Sequence, residues 1–232
     1  MTLKNKVVIV TGASQGIGEE MVKAFSQLKA KVVLVARNEE KLNEIAQTLH
    51  GDCLVLPTDL MDEGSVINMI ANVMEKYKRI DVLINNAGYV EPAGLLEMTL
   101  KQWNDMIAVN LTGTFLCTRE ATKFMKKDGG KIINIASTAG ISARPGWSGY
   151  AAAKAGVINF SLSMAEELRN YNIKVFCICP GRTATNLRKR LAPNEDPTTI
   201  MQPQSVVDMV KFCLSQEADV LEGQPILVRE RK

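Results

Sequence analysis

Lys6-Val7-Val8-Ile9-Val10-Thr11 runs straight into Gly12-Ala13-Ser14-Gln15-Gly16-Ile17-Gly18, and this junction decides the fold. The apolar run reads as a strand, and Ile17 to Leu28 reads as a helix. Three glycines let the turn between them tighten and approach a phosphate group closely, and the helix N-terminus supplies free N–H groups and a favourable dipole. The spacing is G-x-x-x-G-x-G. It is neither the common G-x-G-x-x-G fingerprint nor a Walker loop, which needs Gly-Lys-Ser/Thr. An ordinary glycine-rich strand-to-helix turn is the competing reading. The position near the N-terminus, between strand and helix, favours a pyrophosphate cradle.

The same alternation continues along the chain. Strands are expected at Lys31 to Ala36, Asp52 to Leu56, Ile80 to Asn85, Gly130 to Ala136, Ile173 to Cys179 and Pro225 to Val228. Helices are expected at Glu39 to Leu49 (with Asn38 as N-cap), Glu63 to Tyr77, Leu100 to Met125, Tyr150 to Asn170 and Val206 to Leu214. The strands are short and apolar without polar alternation, as befits strands covered on both faces. Strands alternating with helices imply right-handed crossovers and a doubly wound parallel sheet of about seven strands, in three α/β/α layers.

The 232 residues fit one domain, residues 1–232, able to bury a core without disulfides or metals. A net charge of +3 gives no global reason to expect nucleic acid. The local cluster Arg188-Lys189-Arg190 reads first as a solvated basic face. The N-terminus is polar, and Val7 to Val10 is too short for a signal core or membrane span. Five cysteines without a leader point to free thiols in a reducing cytoplasm. Cys177 and Cys179 lie in a strand-like run with no second pair nearby, so no metal is expected. His50, the single histidine, sits in a helix-ending turn, which disfavours triad hydrolases and multi-histidine zinc sites.

The residue ending the second strand of such a fold reads the adenosine ribose. An acid there favours NAD, whereas an arginine accommodates the 2′-phosphate of NADP. Here the strand ends Ala36-Arg37, with no carboxylate before Glu39, so NADP(H) is expected over NAD(H). Further along, Tyr150 and Lys154 are four residues apart on one helix and share a face. A nearby ammonium is expected to lower the tyrosine pKa from its usual value of about 10. Ser137 ends the fifth strand and Asn85-Asn86-Ala87-Gly88 ends the fourth, at the edge where such sheets bind ligands. Asn110 lies inside a helix, where asparagine is a mediocre former; a role or a structural hydrogen bond explains it.

In these residues, with Asp59 and Pro180-Gly181, the chain resembles the short-chain dehydrogenase/reductase family from Lys6 to about Val228, as a 3-oxoacyl-reductase-like member with a Rossmann-like fold. The resemblance implies roles. Tyr150 donates a proton to a substrate carbonyl as hydride arrives from the nicotinamide. Ser137 hydrogen-bonds that carbonyl, Lys154 binds the nicotinamide ribose and tunes Tyr150, and Asn110 holds a relay water. Gly12, Ser14, Gln15, Gly16, Ile17 and Gly18 form the cradle. Asp59, with Leu60 beside it, meets the adenine, and the Asn86, Ala87 and Gly88 backbone follows the adenosine ribose. Beyond Pro180-Gly181, Thr183 and Thr185 meet the carboxamide. The substrate is then a small carbonyl or alcohol.

The chain also departs from the family pattern. Gln15 stands where many NADP-dependent members carry a basic residue. The charged tail replaces the usual Asp-Gly-Gly, leaving both homotetramer and homodimer open. A substrate lid is expected over about residues 183–204, Leu187 and Leu191 forming its apolar inner face and Arg188 to Arg190 solvated or meeting an acidic substrate or carrier. Ser142, Trp147 and Tyr89 are candidate pocket residues. The rival readings are a catalytically silent nucleotide-binding member acting through protein contacts and a nucleotide-sugar enzyme. The complete Asn110, Ser137, Tyr150 and Lys154 set argues against the first, and the absence of a separate substrate domain against the second.

Overall fold

The structure is a computed structural model in which residues 3–230 are described. Seven strands form one sheet: β1 (Val7–Thr11), β2 (Lys31–Ala36), β3 (Cys53–Pro57), β4 (Val82–Asn85), β5 (Gly130–Ile135), β6 (Ile173–Pro180) and β7 (Pro225–Val228). Their order is β3-β2-β1-β4-β5-β6-β7, and every pairing is parallel. The order reverses direction between β1 and β4, the switch point at which open parallel sheets bind ligands.

Period-two alternation feeds two cores. Val8, Val10, Val32 and Leu34 face one side, where α1 (Gly16–Gln27), α2 (Glu39–Gln47) and α8 (Pro203–Cys213) pack. Val7, Ile9, Val33 and Val35 face the other, against α3 (Glu63–Tyr77), α5 (Gly113–Met125) and the end of α6 (Ser148–Glu167). This burial on both faces explains the unbroken apolar runs. Caps begin the helices where the sequence offers them. Asn38 accepts from the Lys41 N–H, Asp62 from those of Gly64 and Ser65, and Thr99 forms a capping box with Gln102.

Three expectations need correction. The helix expected from Leu100 to Met125 is α4 (Leu100–Ile107) and α5 separated by a π turn, Ala108–Thr112. The Met106 carbonyl, which an α-helical turn would pair with the Asn110 N–H, accepts from the Asn110 side-chain amide at 2.8 Å. The segment after Gly181, whose sequence shows no clear periodicity, is not one irregular loop. It holds α7 (Asn186–Leu191), capped by Thr185, a 3₁₀ turn at Pro197–Thr199 and a bridge between Thr183 and Met201. Finally, α8 starts at Pro203 rather than Val206, because proline suits a first helical turn, where its missing N–H costs nothing. No helix among the described residues is long and apolar enough to cross a membrane.

Candidate active site

The C-terminal ends of β1, β2, β4, β5 and β6 open onto a cleft of about 740 Å³. Side chains stitch its floor together. Thr11 Oγ1 accepts from the Asn86 and Ala87 N–H groups at 3.0 and 3.1 Å. The Asn86 amide donates back to the Thr11 carbonyl at 2.9 Å. The cradle is therefore bolted to the Asn86–Gly88 turn across the switch point.

The glycines earn their positions geometrically. Gly12 and Gly16 adopt φ of 68° and 60°, a region that favours glycine. A Cβ on Gly12 would stand 2.8 Å from Ala87 Cα, and one on Gly18 would stand 2.2 Å from the Gly12 carbonyl oxygen. Gly12, Ser14, Gln15, Gly16 and Ile17 line the cleft, whereas Gly18 is buried behind it and lets α1 close on β1. A cradle this tight, ahead of a twelve-residue helix, fits a dinucleotide pyrophosphate.

Further cofactor candidates line the same space: Arg37, Asp59 and Leu60 at one end, then Asn86, Ala87 and Gly88. Pro180, Gly181, Thr183 and Thr185 close it from the β6 side. Arg37 is exposed and pairs with no carboxylate among the described residues. Asp59 Oδ1 accepts from the Met61 N–H at 3.0 Å. Thr185 Cγ2 lies 3.3 Å from the Cβ position of Gly16, so the segment entering α7 packs onto the cradle.

At the other end stand Ser137, Tyr150 and Lys154, all cleft-lining. Ser137 adopts an extended backbone beyond β5 and caps a 3₁₀ turn, its Oγ accepting from the Ala139 N–H. Lys154 is 3% exposed; its Nζ donates to the Ile135 carbonyl at 2.8 Å and lies 5.7 Å from the Tyr150 ring centre. Asn110 does not line the cleft. It is fully buried one layer behind, tied to the Tyr89 carbonyl at 2.7 Å and the Tyr89 N–H at 3.3 Å. A Cβ on Gly88 would stand 3.2 Å from Asn110 Oδ1 and 3.8 Å from Lys154 Nζ, so both residues reach the same point. π turns of this kind are frequent at functional sites.

The model of the short chain dehydrogenase family matches residues 6–196. The chain belongs to the short-chain dehydrogenase/reductase family. It is similar to the 3-oxoacyl-[acyl-carrier-protein] reductase of Synechocystis sp., with 35% identity covering 93% of this chain and 92% of that one. It is 34% identical to the corresponding FabG reductase of Thermotoga maritima, covering 97% of each. Among solved structures, a 3-ketoacyl-(acyl-carrier-protein) reductase of Brucella melitensis, complexed with NADH, superposes with a TM-score of 0.91. It shares 27% identity over 98% of both chains. A short chain dehydrogenase of Bacillus anthracis gives 0.88 at 33% identity, over 98% of this chain and 96% of that one. This family member is an oxidoreductase that transfers hydride.

The electrostatics differ from expectation at Tyr150. Burial pushes its pKa up, outweighing the hydrogen bond with Ser137 and the charge of Arg144. Lys154 does not lower it in this structure, because the lysine is itself buried. Its own pKa falls to about 8, an effect that the thiols of Cys177 and Cys179 only partly oppose. Both cysteines are buried free thiols in β6.

Of the pocket candidates, Trp147 and Tyr89 line the cleft, and Ser142 lines a smaller cavity nearby. Arg144, an isolated arginine in the loop before α6 that was not among the sequence candidates, also lines the cleft. Its guanidinium lies 5.7 Å from the Trp147 ring centre, and that ring meets Tyr150 edge-on at 5.7 Å. No periodicity marks a lone loop residue, so no sequence signal pointed to it.

Proposed function

We propose that this chain reduces a carbonyl on a small-molecule substrate, or oxidises the matching secondary alcohol, with NADP(H) as its preferred cofactor and NAD(H) as the weaker one. The observation that carries the reading is that one cleft holds the glycine cradle at one end and Ser137, Tyr150 and Lys154 at the other. Arg37 supports NADP(H): it follows β2 with its guanidinium unpaired among the described residues, and a guanidinium grips phosphate with paired donors.

In this reading the bound nicotinamide supplies the hydride that adds to the carbonyl carbon. The phenol of Tyr150 gives its proton to the carbonyl oxygen, and the Ser137 hydroxyl donates a hydrogen bond to the same oxygen. General acid catalysis of this kind contributes about 10²- to 10⁴-fold. The upward shift of Tyr150 keeps it protonated at neutral pH, the form that reduction requires. Lys154 holds the nicotinamide ribose. Asn110, held rigidly by Tyr89 and Met106, positions a water behind Lys154 through which Tyr150 recovers its proton. Asp59 and Leu60 meet the adenine, the Asn86–Gly88 backbone follows the adenosine ribose, and Thr183 and Thr185 meet the carboxamide.

The chain acts as one domain whose segment 183–204 covers the substrate. The free thiols suit a cytoplasmic setting. A homotetramer or homodimer would cover Phe115 and Phe124, exposed on α5. The test of the cofactor assignment is a titration of wild type and Arg37→Gln with NADPH and NADH. Wild type should bind NADPH about 10- to 100-fold more tightly, and Arg37→Gln should lose that margin. Equal wild-type affinities would refute NADP(H).

A further inference from the structure

The charges around the cleft do not balance. Arg37, Arg144, Arg182, Arg188 and Arg190 all line it, and among the described residues Asp59 is the sole carboxylate that does. Two of these arginines share one local carboxylate. Glu195 bonds Arg188 Nε at 2.5 Å and Arg182 Nη1 at 3.0 Å. That carboxylate is held below its usual range first by the hydrogen bond from Arg188. Arg37 belongs to the adenosine end. Arg144 and Arg190 remain, and neither side chain forms an ion pair or hydrogen bond among the described residues.

Arg144 is held in place without a charged partner. It is partly buried, its guanidinium 5.7 Å from the ring centre of Trp147, whose ring in turn meets Tyr150. Glu230 shares the smaller cavity on its other side, together with Arg229, but no ion pair joins Glu230 to Arg144. Arg37 and Arg144 follow strands three steps apart in the sheet, β2 and β5. At roughly 4.8 Å per step that is about 14 Å, so Arg144 stands well away from the adenosine end. Arg190 comes from α7, close enough to Tyr89 for its charge to act on that phenol. Glu91, the nearest acid there, is already bonded by Tyr89 and Gln102. A partly desolvated guanidinium with no anion is costly unless a ligand supplies one.

We propose that Arg144, with Arg190 adding a second cation from α7, selects a carbonyl substrate bearing an anionic group, a carboxylate or phosphate, beside the reacting carbonyl. The inference rests on the carbonyl-reductase reading. The Arg144 N–H groups have no partner among the described residues and line the cleft, and a guanidinium matches the paired oxygens of either anion. Tyr150 and Ser137 then meet the carbonyl while Arg144 holds the charged end, which fixes the orientation of the substrate in the cleft.

The experiment uses two matched pairs with NADPH as reductant: acetoacetate against ethyl acetoacetate, and dihydroxyacetone phosphate against dihydroxyacetone. Each pair differs in the anion, and the two pairs separate carboxylate from phosphate. Wild type should favour the anionic member of at least one pair by about 10- to 100-fold in kcat/KM. Arg144→Gln should collapse that ratio through KM, and Arg144→Lys should restore part of it. NADPH binding by each variant reports whether it is folded. Should Arg144→Gln fail to bind NADPH, the wild-type preference is followed from ~0.05 to ~0.5 M KCl, where screening should erode it.

No preference in wild type, a preference that survives Arg144→Gln, or one insensitive to salt would each overturn the proposal. In those cases turnover of the neutral members would leave the reductase reading standing. Turnover of none of the four probes by an enzyme that binds NADPH would count against both.

Discussion

The two edges of the sheet treat charge in opposite ways. At the edge where the strands begin, charges are paired. Asp81, just before β4, accepts from Lys6 Nζ and the Val7 N–H at 2.9 Å each, and from Arg79. Lys131 in β5 and Lys174 in β6 meet Asp219 at 3.0 and 2.8 Å. At the edge where the strands end, Arg37, Arg144 and Arg190 have no carboxylate, and Lys154 is buried against a carbonyl alone. The first edge is built for stability. The second keeps Lys154 and Arg144 at least partly out of water without an anion, a cost that a bound molecule would offset. Active sites commonly give up stability in this way.

The contrast breaks most visibly at Lys154. Lys154→Met should reduce turnover by about 10²-fold or more and yet raise Tm at pH 7. The wild-type lysine has its pKa depressed from 10.5 to about 8 by burial. The folded state therefore disfavours the cation, a penalty of about 3 kcal/mol that is full below pH 8 and gone above pH 10.5. Losing the hydrogen bond to Ile135 offsets about 1 kcal/mol of the gain. Thermal melts from pH 7 to 11 should show the stabilisation of the variant shrinking between about pH 8 and 10.5. A destabilised Lys154→Met at pH 7 would mean that the lysine serves the fold instead.

Asp81→Asn should have the smaller and opposite effect. Burial pushes the Asp81 carboxyl up, but its bonds with Arg79, the Val7 N–H and Lys6 hold it below its ordinary value of 3.8. It therefore contributes stability above that value and loses it as pH falls through the lowered one. Asparagine can still accept from Val7, so the expected loss is about 1–2 kcal/mol at neutral pH, fading in acid. Urea unfolding at pH 7 and pH 3 measures both, with NADPH affinity unchanged at pH 7. Equal losses at the two pH values would break the electrostatic account of this edge.

The central strands were legible because Val, Ile and Leu runs such as Val7 to Val10 fill positions buried on both faces, and the half-exposed β3 and β7 because their short apolar runs lie between turns. The cradle was legible because three glycines interrupt such a run where a helix begins. What escaped the sequence has physical reasons. The π turn adds a single residue to an otherwise helical period, and α7 is too short to show any period, although Thr185 marks its start. The four-residue spacing of Tyr150 and Lys154 fixes a shared face but says nothing of depth, and depth sets both pKa shifts. Arg144 carries no pattern at all; only its neighbours Trp147 and Tyr150, brought together by the fold, reveal it.

The central claim, that Tyr150 delivers the proton in this cleft, is tested most directly by comparing wild type with Tyr150→Phe in two assays: carbonyl-dependent loss of NADPH, and NADPH binding. The account predicts that Tyr150→Phe binds NADPH as wild type does and loses turnover by at least about 10²-fold. Near-normal turnover by Tyr150→Phe would contradict it.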